Sequence, residues 1–392
     1  MIKKTPYLSY CSKGICEGCK LCVQGKKLVL FVNGLCSRDC FYCPLSEKRK
    51  NKKISWANER KLSDNTNIAI KEAIEEAKIT NALGMGITGG DPLFDEEKTI
   101  AFIQTFKKEF GKSFHTHIYL IPETVNEKNL TKLFKARLDE IRFHPNILKD
   151  IDSLKNEINK IKLASKFNWD VGIEIPTLPK SERNIFKLID KTHKYISFIN
   201  LNELEVSDTN LDLFSKMNYN IDENDFSGYV IKGSKETALK ILKYCSKKYP
   251  KLLVHFCSAQ TKNLFQYKKR LIIRAKNIKT VFDKLNKYGD LERNIIYLKE
   301  FYPGFSYENK IENLSSKEKT KLSKLLEQNK KYLLKIGIKE KELILDRINF
   351  RFITSRKVIE IFYDKLKNLK LKPAIVTELP TYYSLPLDIE FL

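Results

Sequence analysis

The sequence predicts an α/β protein built on a parallel sheet, and three observations predict it. Strand-like apolar runs alternate with helical patterns over the first two thirds of the chain. After a longer first interval, the runs begin every 25–31 residues, about the length of one βα unit. The runs are also nearly continuous in apolar residues, as strands covered on both faces are. Six or more such units favour a barrel or partial barrel over an open sheet, a choice that spacing alone leaves open.

The strands are expected at 28–33, 84–88, 115–121, 140–144, 170–175 and 196–201. Between them, residues 66–80 place Ile70, Ala73, Ile74 and Ala77 on one helical face, with Ser63 or Asp64 as N-cap. Further helices are expected at 96–109, closed by Gly111, and at 126–137, 146–166 and 181–194. A helix at 234–248 and a strand at 252–257 extend the same sheet. From about 260 the character changes. Residues 261–288 read as a basic helix, a Pro-Gly turn follows at 303–304, and 316–336 read as another helix. The stretch 343–391 reads as strand, helix and two strands. The expected organisation is an N-terminal Cys-rich segment at 1–27, an α/β domain at 28–260 and a C-terminal α+β domain at 261–392.

The 392 residues are 42% hydrophobic, enough for two or three domains with real cores. No apolar run reaches the roughly 20 residues of a membrane span, and the first residues carry no signal-type apolar segment. A cytoplasmic protein is expected. The formal charge of +24 invites a nucleic-acid partner. Lysine dominates that charge, however, and arginine, the better phosphate fork, is scarce. The run Glu47–Lys53 reads as a solvated loop.

Seven of the nine cysteines lie between Cys11 and Cys43. Thiols crowded into one segment of a reducing compartment argue for metal or iron–sulfur ligation rather than disulfides. Cys36-x3-Cys40-x2-Cys43 follows directly on the first strand, with Tyr42 inside it. Three thiolates are one ligand short of a closed four-iron cluster, so one iron is left open. Upstream, Cys11, Cys16, Cys19 and Cys22 form a complete ligand set, with Gly14 and Gly18 available for the turns of a metal knuckle. A second [4Fe–4S] cluster and a structural zinc both suit it. A rival reading joins Cys19, Cys22, Cys40 and Cys43 as a zinc ribbon in a non-catalytic nucleic-acid-binding protein, which leaves Cys36 unexplained.

The cysteine triad, followed by a helix and a strand ending Thr88-Gly89-Gly90-Asp91-Pro92, resembles the radical S-adenosylmethionine superfamily, close in style to pyruvate formate-lyase activating enzymes, over roughly residues 28–215. The resemblance implies a partial (βα)6 barrel and a [4Fe–4S] cluster on Cys36, Cys40 and Cys43. The open iron would be chelated by S-adenosylmethionine, which is reductively cleaved to a 5′-deoxyadenosyl radical that abstracts a substrate hydrogen. An electron donor such as ferredoxin or flavodoxin is implied, with a protein or small-molecule substrate and tRNA as the alternative. Tyr42 would touch the adenine, and Gly89, Gly90 and Asp91 would bind the methionine end, although the family's usual residue at position 91 is Glu.

Arg142, His144 and Glu174 are further cofactor-binding candidates, since ionisable groups inside parallel strands need partners. Asn200, Asn202 and Glu203 follow the 196–201 strand and are weaker ones. Cys257, on an apolar strand with His255, is a candidate hydrogen donor, although a buried inert thiol is the commoner fate. Cys245 is expected in the core.

Overall fold

The computed structural model describes residues 1–225 and 229–392. They gather into two compact units, Met1–Asn58 with Leu62–Arg270, and Glu59–Lys61 with Leu271–Leu392. Among the described residues, no helix is long and apolar enough to cross a membrane.

The strands of the first unit are β1 (Ile2–Lys4), β2 (Tyr10–Ser12), β3 (Lys27–Phe31) and β4 (Trp56–Ala57). With β5 (Arg60–Lys61) left to the second unit, they continue as β6 (Gly84–Thr88), β7 (His115–Leu120) and β8 (Glu140–Phe143). The last three are β9 (Asp170–Pro176), β10 (Phe198–Asn202) and β11 (Leu253–Cys257). Strands β3, β6, β7, β8, β9, β10 and β11 are neighbours in that order, and every pair is parallel. The parallel sheet and all six expected strands are therefore present, with β11 as a seventh. At one edge β4 pairs antiparallel with β3. At the other, β2 pairs antiparallel with β11, and β1 with β2. Residues 1–27 thus belong to the first unit's sheet and helices rather than standing apart.

Helices α1 (Glu17–Val23), α2 (Thr66–Ile79), α3 (Glu96–Phe110), α4 (Glu127–Lys135) and α5 (Lys155–Ala164) precede α6 (Glu182–Thr192), α7 (Leu211–Lys216) and α8 (Ser234–Lys248). Leu28, Met85, Ile118, Ile141 and Ile173 from the strands pack with Ala73, Phe102, Leu133, Ile161 and Ile185 from the helices in one fully buried core. Three details differ from expectation. The N-cap of α2 is Asn65, whose side chain accepts from Asn67 N and Ile68 N; Ser63 instead accepts from Asn65 N. Helix α5 starts only at Lys155, after a loop and a 3-10 turn at Ile151–Leu154. The basic stretch from 261 is a π-helical turn, Thr261–Tyr267, followed by α9 (Lys268–Ile278), and it stops well short of 288.

The second unit holds β12 (Lys284–Leu285), β13 (Leu291–Tyr297), β14 (Ile344–Asp346), β15 (Arg351–Thr354), β16 (Lys372–Glu378) and β17 (Pro386–Phe391). Helices α10 (Tyr307–Glu312), α11 (Ser316–Lys335) and α12 (Arg356–Asn368) complete it. Its sheet runs β14-β15-β13-β16-β17, all antiparallel. Strand β13 was not expected, because Glu292, Arg293 and Asn294 break its apolar run. The sheet accepts Arg293 because Glu378 (2.6 Å) and Asp283 (3.0 Å) neutralise it.

Candidate active site

The cluster-type cysteines lie in the loop leaving the C-terminal end of β3, and that loop is fixed by its neighbours. Gly90 N and Asp91 N donate to Asn33 O (2.8 Å) and Leu35 O (2.7 Å). A Cβ on Gly90 would stand 2.2 Å from Leu35 O, and one on Gly89 2.3 Å from Asn33 O. The two glycines therefore let one loop backbone lie against another, besides facing the cavity described below. On the other side Gly34 N donates to Lys52 O (2.7 Å), and the Arg49 guanidinium lies over Trp56 (4.8 Å). The basic run 47–53 is thus a turn anchored to the cysteine loop by its backbone, with Glu47, Lys48, Asn51, Lys52 and Lys53 exposed as expected of a solvated loop.

Arg38, between Cys36 and Cys40, was missed in the sequence. Its side chain is 9% exposed. It donates to the His144 carbonyl (2.7 Å), to Glu157 (3.0 Å) and to Glu123 (3.0 Å). Those partners follow β8 and β7 and lie within α5, so nothing local in the sequence announces them.

A cavity of about 460 Å3 opens at these strand ends. Of the residues singled out in the sequence, Cys36, Cys40, Cys43, Tyr42, Gly89, Gly90, His144 and Glu174 line it, and so do Asn202 and Glu203. Lys50, Asn51, Glu205 and Lys262 line it unannounced. His144 Nδ1 lies 3.0 Å from the Glu174 carbonyl, so that nitrogen carries the proton. Nε2 then accepts from the Tyr42 hydroxyl at 3.1 Å. The Glu174 carboxylate accepts from Asn202 (3.0 Å), Asn200 (2.9 Å) and Arg142 (2.8 Å).

Burial pushes the thiols of Cys36, Cys40 and Cys43 up, so binding a metal there releases protons. Burial, with Arg38 next, pulls His144 down to about 4, in keeping with a neutral ring that accepts from Tyr42. The chemistry of the set fits a four-iron cluster. Three thiols share one cavity, and a cluster on them would have one iron without a protein ligand.

Asp91 does not line the cavity. Its carboxylate is wholly buried, accepting from Leu93 N (2.9 Å) and Thr124 Oγ1 (2.6 Å). Burial pushes it up to about 6. Arg142 lies deeper, against Glu140 (2.5 Å), Glu174 and Tyr119. Cys245 is fully buried in α8.

Beneath the cavity the strand register puts His117, Glu140, Arg142, Glu174, Asn200, His255 and Cys257 on one face of the sheet. Helix α1 lies on that face. Gly18 N donates to Glu140 (3.2 Å), and a Cβ on Gly18 would stand 2.4 Å from Arg142 Nη2 and 2.7 Å from His117 Nδ1. Gly18 is therefore a helix-packing glycine, not the turn of a metal knuckle. Cys11 sits on β2, Cys16 precedes α1, and Cys19 and Cys22 lie within it. The hydrogen bond with Cys16 holds the Cys19 thiol well down, while burial pushes Cys16 and Cys22 up. Cys257 is buried outside the cavity lining, pushed up by burial and within reach of the charges of Lys262, Cys19, Glu174 and Cys22. Burial pushes the Cys11 thiol up, with Lys3 opposing. Among the described residues, no three His, Cys, Asp or Glu side chains converge as a single metal ion requires.

Residues 23–140 match the family described as a 4Fe-4S single cluster domain. A protein of Methanocaldococcus jannaschii, named as a glycyl-radical enzyme activating enzyme, is 44% identical over 284 residues, covering 71% of this chain and 73% of that one. Among solved structures, Streptococcus suis SuiB bound to S-adenosylmethionine aligns with TM-score 0.42 and 13% identity, covering 66% of this chain and 59% of that one. The radical S-adenosylmethionine methyltransferase TsrM of Kitasatospora setae aligns with TM-score 0.38 and 8% identity, covering 67% and 54%. This chain spans less than two thirds of either structure's length, and likenesses this distant carry no inference. The 44% relative places the family: the chain belongs to the radical S-adenosylmethionine superfamily, among the relatives of the glycyl-radical enzyme activating enzymes, a class of enzymes that use a [4Fe–4S] cluster and S-adenosylmethionine.

Proposed function

We propose that this enzyme holds its cluster on Cys36, Cys40 and Cys43 and abstracts hydrogen from one residue of a protein substrate, in a sheet that wraps as a partial barrel. The observation that carries the reading is the single cavity lined by all three thiols together with Tyr42, Gly89, Gly90, His144 and Glu174. When bound, the cluster and S-adenosylmethionine supply one-electron cleavage of a sulfonium and a carbon radical. The protein's part is to place and shield them. The three thiolates would hold the cluster, and the Gly89–Gly90 backbone lines the same cavity. Tyr42, held by His144, presents its ring to the cavity. Glu174, oriented by Asn200, Asn202 and Arg142, offers a fixed carboxylate to hydroxyl or amine donors. A cavity of about 460 Å3 is of the size one drug-sized ligand fills. The relative's name supports a glycyl-radical protein as that substrate. A low-potential donor such as ferredoxin or flavodoxin would supply the electron.

The N-terminal thiols are read as ligands of a second centre. The substrate test is anaerobic incubation of the reconstituted enzyme with S-adenosylmethionine, dithionite and a glycyl-radical enzyme polypeptide. A glycyl-radical doublet in the electron paramagnetic resonance spectrum is expected. Consumption of S-adenosylmethionine driven by a small metabolite or by tRNA, with no protein radical, overturns the protein substrate.

A further inference from the structure

Helix α11 carries most of its lysines in one row. Positions 317, 321, 324, 328, 331 and 335 follow at steps of four and three, which keeps them on one side of an α-helix. Lys317, Lys321, Lys324, Lys331 and Lys335 occupy five of them and Gln328 the sixth, and all six are exposed. At 1.5 Å rise per residue the row is about 27 Å long. Leu322, Leu326 and Leu333, on the opposite side, are buried. The helix is thus packed into the second unit with its lysines turned to solvent.

A lysine-rich composition alone would scatter these charges. Lysine supplies seven of the 20 residues of α11, and five of the seven stand in the row. The two acidic residues of the helix lie outside the row and are engaged elsewhere. Glu318 accepts from Ser315 N (2.8 Å) in the capping box, and Glu327 pairs with Arg347 (2.6 Å). Lys330, also outside the row, pairs with Glu340 (2.6 Å). Among the described residues, none of the five lysines of the row has an ion pair. Like charges three and four residues apart destabilise a helix, and an anionic partner removes that repulsion.

The form of the row selects among anions. A straight, evenly charged track suits a linear chain of phosphates. Lysines are point charges rather than planar forks, which suits a backbone held without regard to sequence. Tyr332, 54% exposed, lies beside the row, three residues from Lys335 and four from Gln328, and offers a ring on which a base can stack. A membrane surface would call for an apolar face free to enter it, and the apolar face of α11 is packed inward. The centre of a protein interface is depleted in lysine.

We infer that the exposed side of α11 binds a single-stranded nucleic acid through its phosphates, with Tyr332 against a base. The site belongs to the second unit and is independent of the chemistry assigned to the cavity.

The test is the fluorescence anisotropy of a labelled oligouridylate titrated with the full chain over a range of salt. Two variants of equal net charge are compared. One carries Lys317→Gln, Lys321→Gln, Lys324→Gln, Lys331→Gln and Lys335→Gln. The other carries Lys71→Gln, Lys128→Gln, Lys155→Gln, Lys166→Gln and Lys187→Gln, at exposed lysines of the first unit. The row variant should bind at least about tenfold more weakly at about 100 mM salt, and its log–log salt slope should fall by about 3.5, at about 0.7 per phosphate contact. The control should keep the slope of the unmodified chain. Equal weakening of the two variants would reduce the effect to overall charge and overturn the site. So would an unmodified chain that fails to bind at low salt, or one that binds polyglutamate or phosphatidylserine vesicles through the row but not the oligouridylate. Should the five-lysine variant fail to fold, Lys324→Gln with Lys331→Gln should still lower the slope by about 1.4, and an unchanged slope overturns the row. Tyr332→Leu should bind about fivefold more weakly, or worse, with the slope unchanged; an unchanged affinity overturns the stacking contact.

Discussion

The Tyr42 hydroxyl stands 3.1 Å from His144 Nε2, and the other nitrogen of that ring is bound to the Glu174 carbonyl at 3.0 Å. One neutral imidazole therefore links the cysteine loop to the end of β9. Tyr42→Phe removes the donor to the Nε2 of a half-buried ring that lines the cavity, a cost of about 0.5–1.5 kcal/mol. Urea unfolding of the variant should show a loss of that size with the iron content unchanged. An unaltered midpoint would mean that the link carries no energy.

Arg38 joins three chain segments. Its side chain is 9% exposed and that of Glu157 3% exposed. Arg38→Ala leaves the buried Glu157 carboxylate with only Asn146 N (2.9 Å) and Lys149 (3.8 Å) and should cost about 1–3 kcal/mol. The paired change Arg38→Met with Glu157→Met should recover part of that loss, because neither charge is then stranded. A double variant as unstable as the single one would remove the ion pair from the account.

Two buried groups make opposite demands on pH. Burial raises Asp91 from 3.8 to about 6, so the folded chain holds that proton more tightly than the unfolded chain. Its contribution to stability is lost as pH rises through about 4 to 6, on the order of 3 kcal/mol in all. Burial lowers His144 from 6.5 to about 4, so its contribution is gained as pH rises from about 4 to 6.5 and is similar in size. Relative to the unmodified chain, Asp91→Asn should therefore gain stability as pH rises through that window, and His144→Gln should lose it. Urea unfolding at several pH values measures both slopes. Identical slopes in all three proteins would contradict the assignment.

Much of the first unit was legible because its core is local in pattern. Strand β6 and helix α8 have the expected bounds, being an apolar run and an apolar face bordered by turn residues. Gly111, at φ 86°, ends α3 as expected. Helix α1 was hidden because Cys16, Gly18, Cys19 and Cys22 look like a metal knuckle. Only its fit against Arg142 and His117 shows why position 18 lacks a Cβ. Strand β13 was hidden for a related reason. Arg293 reads as a surface residue until Glu378, on β16, neutralises it. In the site, the spacing of Cys36, Cys40 and Cys43 is sequence information, but the partners of Arg38 are not. Asp91 shows the limit of motif reading, because its carboxylate caps a turn and binds Thr124 rather than facing the cavity.

The most direct measurement is cofactor cleavage without substrate. Anaerobically reconstituted protein, dithionite and S-adenosylmethionine should yield 5′-deoxyadenosine and methionine in equal amounts, because the open iron of a three-thiolate cluster is enough for reductive cleavage. Replacing any one of Cys36, Cys40 or Cys43 by Ala should abolish the products, whereas Cys11→Ala should leave them. Undiminished cleavage by the folded Cys40→Ala protein, or none by the fully loaded unmodified chain, would contradict the cavity as the site of radical chemistry.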